Sequence, residues 1–149
     1  IGKLDYGPAE IDAEDCVKWD QFFITTRTEV ELFNAWYECS NDPNCDASVD
    51  YPDYAHKVAK KVKLNKSNVG ILVCGSGTGM NIAANKHKNI RAAQCFNLKS
   101  TKLSRLHNDA NIITLGSRLI TKKNAIKVVS VFLYTKFDGD RHFKRVKKR

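Results

Sequence analysis

The chain has no run of 18 consecutive apolar residues, so no segment of it reads as a membrane-spanning helix. It begins at Ile1 without a basic stretch leading into an apolar core, so it does not read as a secreted precursor. That start fits a fragment, a processed form or an imperfect gene model. Cysteine is sparse and odd in number: Cys16, Cys39, Cys45, Cys74 and Cys95. Five well-spaced thiols argue against a disulfide scaffold and for a reducing compartment. Cys39 and Cys45 share a polar loop, "ECSNDPNC", but no second pair and no nearby histidine completes a zinc site. Internal repeats and low-complexity linkers are absent as well.

What is present suits one ordinary globular domain: 149 residues, 42% hydrophobic and 28% charged. Charge is unevenly spread. Residues 1–53 hold 13 acidic and 3 basic side chains, a net −10, whereas residues 54–149 hold 22 basic and 3 acidic ones, a net +19. Such a basic stretch invites a nucleic-acid reading. Against it, there is no helix-turn-helix, no zinc knuckle and no aromatic interleaving in the basic tail. A basic surface with sites for small phosphorylated molecules is the competing explanation.

From about residue 50 the pattern becomes regular. "DYPDYAHKVAKKVKLNK" places Tyr54, Ala55, Val58, Ala59 and Val62 at helical spacing, with Pro52 at the start. "NVGILVC", "NIRAAQCF" and "NIITLG" read as buried strands. Between and after them lie helices in "TGMNIAANKHK", "STKLSRLHNDA" with Ser100 as a cap, and "TKKNAIKVVSVFLYTKF" with a stripe of Ile126, Val129, Leu133 and Phe137. "DRHFKRVKKR" forms a basic terminal helix. Strands alternating with helices predict an α/β fold: a Rossmann-like, three-layer domain with a parallel sheet flanked by helices. In residues 1–50, "FFIT" and "VELFNAWY" are strand candidates within an acidic, irregular segment.

Ligands of such sheets bind beyond the carboxyl ends of the strands. Cys74 lies at one of these ends, followed by Gly75-Ser76-Gly77-Thr78-Gly79. The loop lacks the GK[ST] ending of a P-loop, and the third glycine of a dinucleotide fingerprint would fall on Met80. It retains the general property of glycine loops, close backbone approach to a ligand and entry into a helix N-terminus, which favours negative charge. Cys74 is then either one more buried cysteine or, beside such a loop, a base or nucleophile.

Six motifs in order, "SVDYPDYA", "GILVCGSGTGMNIAANK", "IRAAQC", "LSRLHNDANI", "LGSRLI" and "GDRHFKRV", cover about two-thirds of the chain. Together they closely resemble ribose-5-phosphate isomerase type B and its relatives, the galactose-6-phosphate isomerase subunits. The resemblance implies a metal-free and cofactor-free aldose–ketose isomerase, a homodimer or dimer of dimers with active sites shared at the subunit interface. It implies Cys74 as the base that moves a proton between C1 and C2, assisted by the Ser76 hydroxyl. It implies His107 in opening the sugar ring, Asn108 on the substrate, and Arg118, Arg141 and Arg145 on the phosphate, some of them donated across the interface. The backbone from Gly75 through Gly77, Thr78 and Gly79 would line the substrate and steady a developing oxyanion. Arg141 and Arg145, four apart on a helix, share a face and can grip one phosphate. His142 is a further phosphate candidate. His56 and His87 read as surface residues, Lys147, Lys148 and Arg149 as solvated charge, and Cys95 as core packing.

Two departures from the family pattern stand out. The family opens with an Asp-His pair used in ring opening and phosphate contact, yet residues 1–50 contain no histidine, and Asp15-Cys16 is only a positional neighbour of it. Asp140 stands where the family has a second glycine, which strains the turn if φ there is positive and sets a negative charge near the arginines. The chain is therefore read as one domain, 1–149, with residues 1–47 divergent. The expected activity is conversion of ribose 5-phosphate to ribulose 5-phosphate in the cytoplasm. The alternatives are an impaired sugar-phosphate-binding homologue and a hexose-6-phosphate isomerase.

Overall fold

The computed structural model describes residues 5–6, 21–26, 50–66 and 68–148. Cys16, Cys39, Cys45, Asp15, Arg149 and the strand expected in "VELFNAWY" lie outside the described residues. Five strands, β1 (Asp5–Tyr6), β2 (Gln21–Thr26), β3 (Asn68–Cys74), β4 (Ala92–Gln94) and β5 (Ile112–Gly116), form one sheet in the order β1-β2-β3-β5-β4. Strands β3, β5 and β4 are parallel, with Cys74 opposite Gly116 and Gln94 opposite Thr114. The sheet is not parallel throughout: β2, which contains "FFIT", runs antiparallel to β3, and β1 antiparallel to β2.

Side chains alternate along β3 and feed two cores. Val69, Ile71 and Val73 join Ile113, Leu115, Val128, Val129 and Phe132 on one face. Leu72 and Cys74 face the other way, onto Ala55, Val58, Ala59, Val62 and Met80. Helices α1 (Tyr51–Leu64) and α2 (Thr78–Ala84) supply that second layer, and α3 (Leu98–Asn108) and α4 (Lys122–Tyr134) supply the opposite one. A short helix, α5 (Asp140–Val146), packs against α3. The result is the α/β, Rossmann-like three-layer arrangement that the alternation of strands and helices predicts.

Local details differ from expectation where polar chemistry decides them. Asn97, not Ser100, caps α3: its side chain accepts the Ser100 amide at 2.9 Å. Helix α4 ends at Tyr134, so Phe137 lies beyond it, and its buried stripe is Ala125, Val128, Val129, Phe132 and Leu133. Its start is capped by Thr121 through the Asn124 amide. Strand β4 is only three residues long, and Cys95 is buried just past its end, where burial pushes its thiol pKa up against hydrogen bonds to Thr101 and Ser104.

His56 and His87 are half-buried near the surface and paired with each other. His56 Nδ1 and His87 Nε2 are 2.8 Å apart, clasping α1 to the turn that follows α2. Asp140 does adopt a positive φ, 38°, directly after Gly139 at φ 73°. Lys147 and Lys148 are exposed as expected, Lys147 with its ammonium over the Phe143 ring.

Candidate active site

The loop after β3 is built around the sulfur of Cys74. Cys74 is 6% exposed, on the α1/α2 side of the sheet, and the backbone N–H of Gly77 donates to its Sγ at 3.1 Å. Gly77 reaches that position at φ +79°, and a Cβ there would lie 2.8 Å from the Leu115 carbonyl carbon. No L side chain fits both the angle and the space. Gly79 sits under the Tyr51 ring, where a Cβ would come within 2.5 Å of it. At Gly75 the neighbour is Arg118: its guanidinium Nε lies 3.3 Å from where a Cβ would be, and its amide donates to the Gly75 carbonyl at 3.1 Å. The three glycines thus admit an arginine, a backbone turn against β5 and an aromatic lid.

Ser76 and Thr78 are exposed beside this sulfur. The Thr78 amide donates to Ser76 Oγ at 3.3 Å, which leaves the Ser76 hydroxyl proton for another acceptor. Two of the five loop amides expected to face an oxyanion, those of Gly77 and Thr78, are therefore turned onto Cys74 Sγ and Ser76 Oγ instead. The motif reading missed Gln94. From the end of β4 its amide nitrogen donates to the Ser76 carbonyl at 2.7 Å and to Thr78 Oγ1 at 3.1 Å, while Thr78 Oγ1 lies 3.4 Å from Gln94 Oε1. A polar residue at the carboxyl end of a parallel strand was the available signal.

His107, Asn108, Arg141 and Arg145 form a second group. The rings of His107 and His142 are stacked, centroids 4.3 Å apart and 8° from parallel. His142 is buried; burial, then His107, Arg141 and Arg145, lower its pKa, with Asp138 opposing. Arg141 and Arg145 are both exposed, one turn apart on α5. The Asp138 amide donates to the Leu106 carbonyl at 3.1 Å, fastening the approach to α5 onto the last turn of α3.

The two groups stand at opposite ends of the sheet. Helix α3 starts near the carboxyl end of β4 and runs back about 16 Å, to end just before β5 begins. The link between them, at Asn111, sits beside Gly70 and Arg91, at the amino ends of β3 and β4. Cys74 and Gly116 mark the other ends, about 13 Å along the strand direction. Within one chain, then, Cys74, Ser76, the glycines, Thr78 and Arg118 are gathered, and so are His107, Asn108, Arg141 and Arg145, but the two sets are apart.

The rest of "HNDAN" is structural. Asp109, at φ 46°, forms an ion pair with Arg91 at 2.8 Å and with the fully buried Arg105 at 3.4 Å. Arg105 also donates to the Ala110 and Thr135 carbonyls and lies over the Phe132 ring. Asn111 accepts the Arg91 amide at 2.8 Å and donates to the Asn89 carbonyl at 2.9 Å. These bonds fix the end of α3 on which His107 stands. Among the described residues, no three or more His, Cys, Asp or Glu side chains are grouped to hold a metal ion, and no helix is long and apolar enough to cross a membrane.

The sequence and fold are similar to those of known proteins. A family model described as Ribose/Galactose Isomerase matches residues 28–149, beginning 20 residues before the first of the motifs and leaving residues 1–27 outside. A putative sugar phosphate isomerase of Rickettsia bellii is 42% identical over 112 residues, covering 75% of this chain and 76% of that protein. A probable ribose-5-phosphate isomerase B of Mycoplasma pneumoniae is 46% identical over 99 residues, 66% of this chain and 65% of that protein. The solved structure of ribose-5-phosphate isomerase B from Mycoplasma genitalium with bound ribulose-5-phosphate superposes with a TM-score of 0.67 at 45% identity, covering 72% of each chain. With a glycine-wrapped cysteine at the end of β3 and this degree of likeness over most of its length, the chain belongs to the ribose/galactose isomerase family.

Proposed function

We propose that the chain is an aldose–ketose isomerase that interconverts ribose 5-phosphate and ribulose 5-phosphate, with Cys74 as the base. The observation that carries this reading is the placement of Cys74 Sγ, held by the Gly77 amide at the mouth of a glycine loop with Arg118 alongside. Relatives named ribose-5-phosphate isomerase B, and the Mycoplasma genitalium structure holding ribulose-5-phosphate, support the substrate. As thiolate, Sγ takes the proton from C2 of the open-chain aldose, and the electrons move onto the C1 carbonyl oxygen as an enediolate. The thiol returns the proton to C1, and as the ketone forms the C2 hydroxyl proton passes to the Ser76 oxygen, replacing the proton that Ser76 gives to the C1 oxygen. Ser76 donates its hydroxyl proton to the charged oxygen, which costs little reorganisation because the Thr78 amide already fixes its Oγ.

Ring opening and phosphate binding fall to His107, Asn108, Arg141 and Arg145 in this reading. Their position at the far end of the sheet supports a site completed by a second copy of the chain, a homodimer in which one protomer gives Cys74 and its partner gives the histidine and arginines. Phe96, Leu98 and Leu119 support this too: they follow the carboxyl ends of β4 and β5 and remain 49%, 46% and 57% exposed. The whole chain serves as one such domain, and its setting is the cytoplasm.

The test is turnover of ribose 5-phosphate by the parent and by Cys74→Ala, a residue whose loss leaves only a small apolar gap. The expected result is activity in the parent and a fall of at least 10³-fold in kcat in the variant, the order of a lost general base. A parent that binds ribose 5-phosphate, seen as a raised Tm, without turning it over refutes the isomerase and leaves a sugar-phosphate-binding protein.

A further inference from the structure

Gln94 reaches the catalytic sulfur through a single peptide unit, and we infer that it is a positioning residue for Cys74. The unit is the Ser76–Gly77 peptide. Its carbonyl accepts a hydrogen bond from Gln94 Nε2 at 2.7 Å, and its N–H donates to Cys74 Sγ at 3.1 Å. A trans peptide is planar, with its oxygen and hydrogen on opposite sides. Fixing the oxygen therefore fixes the direction in which the hydrogen points. A carbonyl that accepts a hydrogen bond also polarises the N–H of the same amide, so the bond to sulfur is strengthened as well as aimed. Gln94 grips the loop a second time at Thr78 Oγ1, 3.1 Å from its Nε2, so the side chain itself is held at two points.

The neighbours argue that this alignment depends on Gln94. Gly77 lies at φ +79°, a conformation glycine shares with several others of similar energy, and so does not hold the peptide plane by itself. Ser76 and Thr78 are exposed, and α2 begins only at Thr78. Beneath the loop, Gly116 packs closely under the Ser76 carbonyl and Leu115 under Gly77, which limits how far the backbone can sink. Gln94, planted on the parallel strand at the sheet edge and opposite Thr114 in the register, adds to this packing a directed hydrogen bond on the Ser76 carbonyl from the sheet. Gln94 bonds to the Ser76 carbonyl and Thr78 Oγ1, while the sulfur is bonded by the Gly77 amide, so its effect on the sulfur passes through the peptide.

The inference rests on Cys74 being the base, and its test separates the two claims. Gln94→Leu removes the donor, and Gln94→Glu keeps the shape but presents only acceptors to the Ser76 carbonyl. Two readouts are taken on the intact protein: the kcat and KM for ribose 5-phosphate, and the rate at which iodoacetamide alkylates Cys74 at neutral pH, followed by mass spectrometry of its peptide. Both variants are expected to lower kcat about 5- to 10-fold with KM within twofold, the pattern of lost transition-state alignment. Both are also expected to slow alkylation of Cys74 several-fold. Unchanged kcat and unchanged alkylation overturn the inference. So does a fall in kcat that follows a lowered Tm while alkylation is unchanged or faster, which is the mark of a merely structural residue. If the parent shows no turnover, the isomerase reading fails, and the alkylation rates alone still decide whether Gln94 governs the sulfur.

Discussion

The imidazole rings of His107 and His142 lie face to face, 4.3 Å between centroids and 8° from parallel. Two protonated rings at that distance repel, and Arg141 and Arg145 add to the repulsion at His142. The stack thus disfavours the charged form of His142, and its burial acts in the same direction.

A pH dependence of stability follows. His142 and His87 both have lowered pKa values in the folded chain, His87 through burial and then His56, Lys60 and Lys63. On unfolding each returns to the ordinary histidine value near 6.5. Below that pH the unfolded chain binds more protons than the folded one, so stability is lost as pH falls. Between pH 7.5 and 5.5 the Tm of the parent is expected to drop, and His87→Asn is expected to flatten part of that slope. Calorimetry across the range checks it; a Tm that rises on acidification, or an unaltered slope in His87→Asn, contradicts it.

The glycines of the loop are not equivalent. Gly77→Ala meets backbone at Leu115 and Gly116 and demands a positive φ, neither of which a neighbour can relieve. Its expected cost is about 2–4 kcal/mol, from strain and overpacking together. Gly79→Ala meets the Tyr51 side chain, 39% exposed and able to swing outward. Its expected cost is about 1 kcal/mol, part of the clash being offset by alanine's higher helix propensity. Placing Gly79→Ala in a Tyr51→Ala background is expected to abolish its cost, whereas Gly77→Ala stays costly there. Urea unfolding of the two glycine variants, Tyr51→Ala and the two double variants measures both.

Much of this architecture was legible in the sequence, because hydrophobic period and strand ends are local signals. The Val58, Ala59, Val62 stripe of α1 and the strands around Leu72 and Ile113 announce themselves by spacing alone. Cys74 was legible from its place before the glycines. What stayed hidden depends on partners far apart in the chain. Nothing in the neighbourhood of His56 says that His87, 31 residues on, will meet it at 2.8 Å. Gln94 is one polar residue in an apolar strand until the register sets it beside Ser76, 18 residues back. The antiparallel edge made by β2 was hidden too, since strand direction follows from connections and not from composition.

The separation of Cys74 from His107 was equally invisible to motif order, and it yields the sharpest prediction about assembly. Topology alone places them at opposite ends of the sheet, since α3 runs back along strands that point toward Cys74. If one active site drew both residues from one chain, Cys74→Ala and His107→Ala would each inactivate every site, and mixing them would restore nothing. In a two-fold dimer with shared sites, a mixed dimer has one site carrying both lesions and one site carrying neither. Random reassociation of equal amounts is then expected to restore about a quarter of parental turnover, since half the dimers are mixed and each has one intact site. The experiment is to unfold the two inactive variants together, refold them, and compare with each refolded alone. Recovery of turnover in the mixture alone establishes the shared site, and its absence, with mixed dimers shown by native mass spectrometry, means that each site draws Cys74 and His107 from one chain.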